Sequence, residues 1–79
     1  MILSPAQCRA ARGLMAWSQD QLAKHAGVGN STVRDFEKGR RVPSNDSLVA
    51  IRSALEEAGV DFIPAKSAKG VGVRLREGR

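Results

Sequence analysis

Apolar residues recur at helical spacing through most of the chain and then switch to strict alternation near its C-terminal end. Cys8, Ala11, Leu14 and Met15 fall on one face of a helix that the spacing predicts from Ser4 to about Ala16, with Arg9 and Ala10 outward. Ser4-Pro5-Ala6-Gln7 opens it as a capping box, with the serine as N-cap, proline at the first helical position and glutamine three residues after the cap. Ser18-Gln19-Asp20-Gln21 repeats the device and starts a short helix with Leu22, Ala23 and Ala26 inward, which Gly27 ends. Only Val28 and Gly29 precede a third helical segment, Asn30 to Lys38. Its inward side is Val33 and Phe36, whereas Asn30, Ser31, Arg34, Asp35 and Lys38 point outward. Gly39-Arg40-Arg41-Val42-Pro43 reads as a basic loop, and Ser44 caps a fourth helix whose stripe is Leu48, Ile51, Leu55 and Ala58, up to Gly59.

After Gly59 the period becomes two. Val60 and Phe62, then Val71, Val73 and Leu75 with Gly72 and Arg74 between them, predict paired strands over 60–63 and 71–75. Pro64 to Gly70, rich in small residues and lysine, reads as a mobile connection longer than a tight hairpin. The expected fold is mainly α, four helices followed by a short C-terminal β-hairpin or strand, divided into residues 1–59 and a β extension at 60–79. Val71, Val73 and Leu75 give that extension one apolar face that a four-helix core need not cover, so a second copy pairing along it, a homodimer, is expected.

Composition narrows the classes. With 79 residues the chain holds one small core, and 42% hydrophobic with 27% charged residues is ordinary globular composition. No apolar run approaches the roughly 18 residues of a membrane span, and no helix combines a wide apolar face with a Lys/Arg-rich polar side, so no membrane role is expected. One cysteine cannot close an intrachain disulfide, and Met1-Ile2-Leu3-Ser4-Pro5 lacks the basic start and apolar stretch of a secretory signal. A cytoplasmic location follows as the default. His25 and Cys8, alone and on different helices, lack the partners that metal or nucleophilic chemistry demands, so no enzyme and no cofactor are expected. They read as a surface histidine and a core thiol, and Trp17 as a core cap.

Thirteen Lys and Arg against eight Asp and Glu give +5, which points to a polyanionic partner. Residues 1–63 hold eight of the bases and seven of the acids; the excess lies in Lys66, Lys69, Arg74, Arg76 and Arg79. Within the body, Arg34, Lys38, Arg40 and Arg41 crowd together. Two short helices joined at Ala26-Gly27-Val28-Gly29, with a small Ala23 where the second would cross, are the pattern of a helix-turn-helix, and an exposed polar helix fits the major groove.

Ser18-Gln19-Asp20-Gln21-Leu22-Ala23-Lys24-His25-Ala26-Gly27-Val28, followed by Ser31-Thr32-Val33-Arg34-Asp35-Phe36-Glu37-Lys38-Gly39-Arg40-Arg41-Val42-Pro43, resembles the lambda-repressor and Cro-like, or XRE, family of DNA-binding proteins. The resemblance covers about residues 4 to 58 and implies a lambda-repressor-like four-helix domain that binds double-stranded DNA as a transcriptional regulator, a small repressor. It implies base-facing positions at Asn30, Ser31, Arg34 and Asp35. Positions that touch phosphates fall at Gln19, Thr32, Lys38 and Arg40, with Arg41 beside them in the basic loop. It also implies an internal ion pair between Arg12 and Glu37. Gly29 stands where the family commonly has a serine or threonine at the cap of the recognition helix. A second function class stays open: a protein partner held by the same scaffold, as in an antiactivator or an antitoxin. The tail is the alternative DNA contact, an arm wrapping the duplex through Lys66, Lys69, Arg74 and Arg76.

Overall fold

A computed structural model of the chain describes residues 2–77, so Arg79, counted above among the tail bases, lies outside the described residues. The elements run α1 (Pro5–Met15), α2 (Gln19–Ala26), α3 (Asn30–Glu37), α4 (Asn45–Ala58), β1 (Val60–Ile63) and β2 (Gly72–Leu75). Both capping boxes form. Ser4 Oγ accepts from the Gln7 amide at 3.0 Å while Gln7 Oε1 accepts from the Ser4 amide at 3.0 Å. Ser18 and Gln21 repeat the exchange at 3.0 and 2.8 Å. Gly29 caps α3 with no side-chain hydrogen bond, as a residue without a side chain must.

One cluster fills the interior: Leu3, Cys8, Ala11, Leu22, Ala23, Val33, Phe36, Leu48, Ile51, Ala54, Leu55 and Val60 are all buried. Phe36 and Leu22 are the largest contributions from the helix-turn-helix itself, each worth about 1.5–3 kcal/mol of burial. Two expectations fail here. Leu14 is 41% exposed, because successive helical residues are about 100° apart and Met15 takes the core-facing direction at the end of α1. On α4 the buried stripe is completed by Ala54, and Ala58 is only half-buried. Leu3, before the first cap, is fully buried and was invisible to a periodicity argument.

β1 and β2 pair antiparallel, with Val60 opposite Leu75, Phe62 opposite Val73 and Ile63 opposite Gly72. The hairpin lies on α1 and α4. Val73, Leu75 and Phe62 are half-buried and packed against the core, so the apolar face of the hairpin is covered largely from within; Val71, just before β2, is 50% exposed. The connection also differs from its expected form. Lys66 and Lys69 exchange both backbone hydrogen bonds, at 3.0 and 2.9 Å, around a two-residue turn at Ser67 and Ala68. Both turn residues have positive φ, 49° and 67°, as a type I′ turn requires. Its composition gave no sign of this, because asparagine and glycine are the usual occupants. No described helix is long and apolar enough to cross a membrane.

Holding Ser67 and Ala68 in the left-handed region costs roughly 1–2 kcal/mol per residue. The double substitution Ser67→Asn with Ala68→Gly removes most of that strain, and the thermal midpoint should rise by a few degrees in a calorimetric scan. An unchanged or lower midpoint would show that the turn is not strained.

Candidate nucleic-acid interface

Glu37, the last residue of α3, is the polar centre of the domain, its side chain only 2% exposed. Arg12 of α1 grips it through two guanidinium nitrogens, Nε on Oε2 at 2.7 Å and Nη2 on Oε1 at 2.8 Å. Gln19 of α2 donates Nε2 to Oε1 at 3.0 Å, and the Cys8 thiol donates to Oε2 at 3.2 Å. Arg9 donates to the Glu37 carbonyl. A third bond from Arg12, Nη1 to the Trp17 carbonyl at 2.9 Å, ties the same guanidinium to the start of the α1–α2 turn. One carboxylate therefore holds three helices in register. Burial alone would push the Glu37 carboxyl up, but the hydrogen bonds from Arg12, Gln19 and Cys8 outweigh it and hold the group below its ordinary range. The Glu37 bond raises Arg12 further, and burial, then the bond to Glu37, pushes the Cys8 thiol well above its usual value.

Glycine fixes the turns on either side of α3. At Gly27, φ is 72° and Val28 N–H returns to the Ala23 carbonyl at 3.0 Å. At Gly39, φ is 74°, Gly39 N–H reaches the Phe36 carbonyl at 3.0 Å and Arg40 N–H the Asp35 carbonyl at 2.9 Å. This is a Schellman end, and it turns the chain back over α3 as it enters the basic loop.

α3 is thereby pinned by Val33, Phe36 and Glu37, all buried, with Ser31 and Arg34 exposed on its outer side and Asn30 exposed at its N-terminal end. Asp35 and Thr32 are half-buried. Lys38, Arg40 and Arg41 are exposed at the C-terminal end of α3 and in the loop after it. Gln19 is half-buried with its amide nitrogen engaged by Glu37, and Asn30 Nδ2 donates to Asp20 Oδ1 at 2.9 Å. The roles of Asp20, Arg9 and Cys8 escaped the sequence reading, since each depends on a contact between separate helices that no local pattern announces.

The cations divide into two sets. Among the described residues, Arg12, Arg52, Arg74 and Arg76 make the ion pairs. Arg74 and Arg76 both lean on Asp61, at 3.6 and 3.1 Å, so these two tail bases are partly neutralised within the hairpin. Arg9, Lys24, Arg34, Lys38, Arg40, Arg41, Lys66 and Lys69 make none among the described residues, and of these Arg34, Lys38, Arg40 and Arg41 are exposed and crowded in the last turn of α3 and the loop after it. His25 is exposed and stacks on half-buried Trp17 with ring centroids 4.2 Å apart.

Compared with known families, residues 9–61, more than half of the chain, match the sequence pattern of the family described as Helix-turn-helix. No curated protein matches.

Deleting either partner of the buried pair strands the other charge. Arg12→Ala and Glu37→Ala should each cost about 3–5 kcal/mol in denaturant unfolding, with strong coupling in a double-mutant cycle. Independent, additive losses would remove the pair from this account. Because the folded-state value of Glu37 is depressed, its contribution is complete above the ordinary carboxyl value of about 4.5 and is lost as the pH falls through the lowered one. Wild-type protein should accordingly lose thermal stability in acid more steeply than Glu37→Gln, when midpoints are compared between neutral pH and pH values below about 4.5.

Proposed function

The chain belongs to the Cro/C1-type (XRE) helix-turn-helix family of DNA-binding regulators, and from that membership we propose that it is a sequence-specific transcriptional regulator, a small repressor, that reads the major groove with α3. The observation that carries this reading is the two-sidedness of α3: an inner face locked by Val33, Phe36 and Glu37, and an outer face that places Ser31 and Arg34 in solvent, with Asn30 exposed at the N-terminal end. Arg34 matches the N7 and O6 acceptors of guanine, Asn30 the edge of adenine, and Asp35 and Ser31 the remaining donor and acceptor patterns. Lys38, Arg40 and Arg41 supply phosphate contacts that release counterions and set affinity without reading sequence, and Thr32 and Gln19, the latter with one amide hydrogen already given to Glu37, add neutral hydrogen bonds to the backbone. The partly neutralised state of Arg74 and Arg76 favours this cluster over a tail arm as the principal contact.

A single domain covers one half-site, so useful discrimination calls for two copies on a two-fold site. Of the residues Val71, Val73 and Leu75 that the alternation singles out, Val71 has the exposure to supply the seam. Val71→Lys should convert a dimer to a monomer in light scattering without DNA; a mass unchanged by the substitution places the seam elsewhere.

In competition titrations, Arg34→Ala should lose about 1–3 kcal/mol on the preferred duplex and little on random DNA. Lys38→Ala or Arg40→Ala should weaken both alike and flatten the salt slope by about one unit. Equal losses for Arg34→Ala on both duplexes overturn the groove assignment. A chain that shows no salt-dependent shift of any duplex at low ionic strength leaves a protein partner as the ligand of this scaffold.

A further inference from the structure

Asn30, the first residue of α3, is not free in the absence of DNA. Its Nδ2 donates to Asp20 Oδ1 at 2.9 Å, a bond between exposed side chains that joins the N-terminal ends of α2 and α3. A carboxylate only accepts, so the amide of Asn30 is fixed one way round, with its nitrogen toward Asp20. What remains available is one Nδ2 hydrogen and Oδ1. That is the donor and acceptor pair matching N7 and N6 of adenine.

We propose that Asp20 is a positioning residue that presets Asn30 for adenine and so determines specificity. The proposal rests on α3 being the base-reading helix. An asparagine already held in one orientation has less rotamer freedom to lose on binding, so the gain falls on the duplex it fits. The charge acts separately, on affinity. Asp20 makes no ion pair among the described residues, and its position beside the N-terminus of α3 sets a fixed negative charge on the surface offered to DNA. That charge opposes the counterion-driven attraction common to every duplex, which lowers binding to preferred and random sequence alike. Orientation raises preference for the right base, while the charge lowers affinity without changing that preference.

The two effects separate by substitution. Asp20→Asn keeps an acceptor oxygen at the same reach without the charge; Asp20→Ala removes both. Ser18 continues to cap α2 in either variant, and far-UV circular dichroism with thermal melts verifies that both fold. The full chain first selects its preferred duplexes from a random pool, and the selected duplex and its single-base variants are then titrated.

The expected result is one adenine whose replacement weakens wild-type binding and is tolerated by Asn30→Ala. Asp20→Ala should lower the penalty for replacing that adenine about fivefold or more, the low end of a bidentate base contact. Asp20→Asn should keep the penalty and bind selected and random DNA more tightly alike, and Asp20→Ala should add nothing to the lost adenine preference of Asn30→Ala. An adenine preference unchanged in Asp20→Ala, or a relaxation spread over every position, overturns the positioning role while α3 remains the reader. A wild-type chain that selects no duplex overturns the reading of α3 itself, and this inference with it.

Discussion

Everything the domain presents to a partner depends on one buried carboxylate. Glu37 stands at the end of the helix whose outer face is polar, and it is met there by side chains from the two helices before it. Neutral packing would bring the same helices together, since Val33, Phe36 and Leu22 supply the apolar area. Packing alone, however, tolerates rotation and sliding of a short helix. A bidentate guanidinium accepts one geometry, and in a site closed to water a mismatch is expensive. The pair therefore defines the angle at which α3 leaves the surface, and a groove-reading helix needs that angle more than it needs additional stability.

The helical part was legible because it is written in local chemistry. Two Ser-x-x-Gln capping boxes, Pro5 and Gly27 mark helix boundaries within a few residues of chain, and these signals are present as real hydrogen bonds. The hairpin was legible in its strands but not in its connection. Ser67 and Ala68 carry no turn signature, so the lysine-bearing stretch looked loose although its ladder closes tightly. Leu14 misled for another reason: apolarity at a helical interval says which residues can share a face, and only the neighbouring elements decide which of them is covered.

The site was legible one residue at a time and not as a network. Exposure of Ser31 and Arg34 follows from the period of α3, that of Asn30 from its place at the helix start, and the free cations from their crowding. The bond from Asp20 to Asn30, the thiol of Cys8 on Glu37 and the turning-in of Gln19 span ten to twenty-nine positions of sequence, and nothing in a linear pattern encodes them. Charge was the least faithful guide. The tail looked more basic than the body, yet two of its bases, Arg74 and Arg76, share the single carboxylate of Asp61.

The amide of Gln7 donates to the Gly72 carbonyl at 3.1 Å across 65 positions, and Arg52 reaches both the Ile2 carbonyl and the face of Phe62, 4.8 Å from its ring centre. These contacts make the segment before α1 and the β-hairpin a single latch over α4. Helix pairs joined by short turns form early because little chain entropy stands between their contacts, whereas a contact of this separation closes late. The order of assembly is then built into the topology: the helix-turn-helix takes shape first, and the latch shuts behind it. Slow-exchanging amides should accordingly concentrate in α2 to α4.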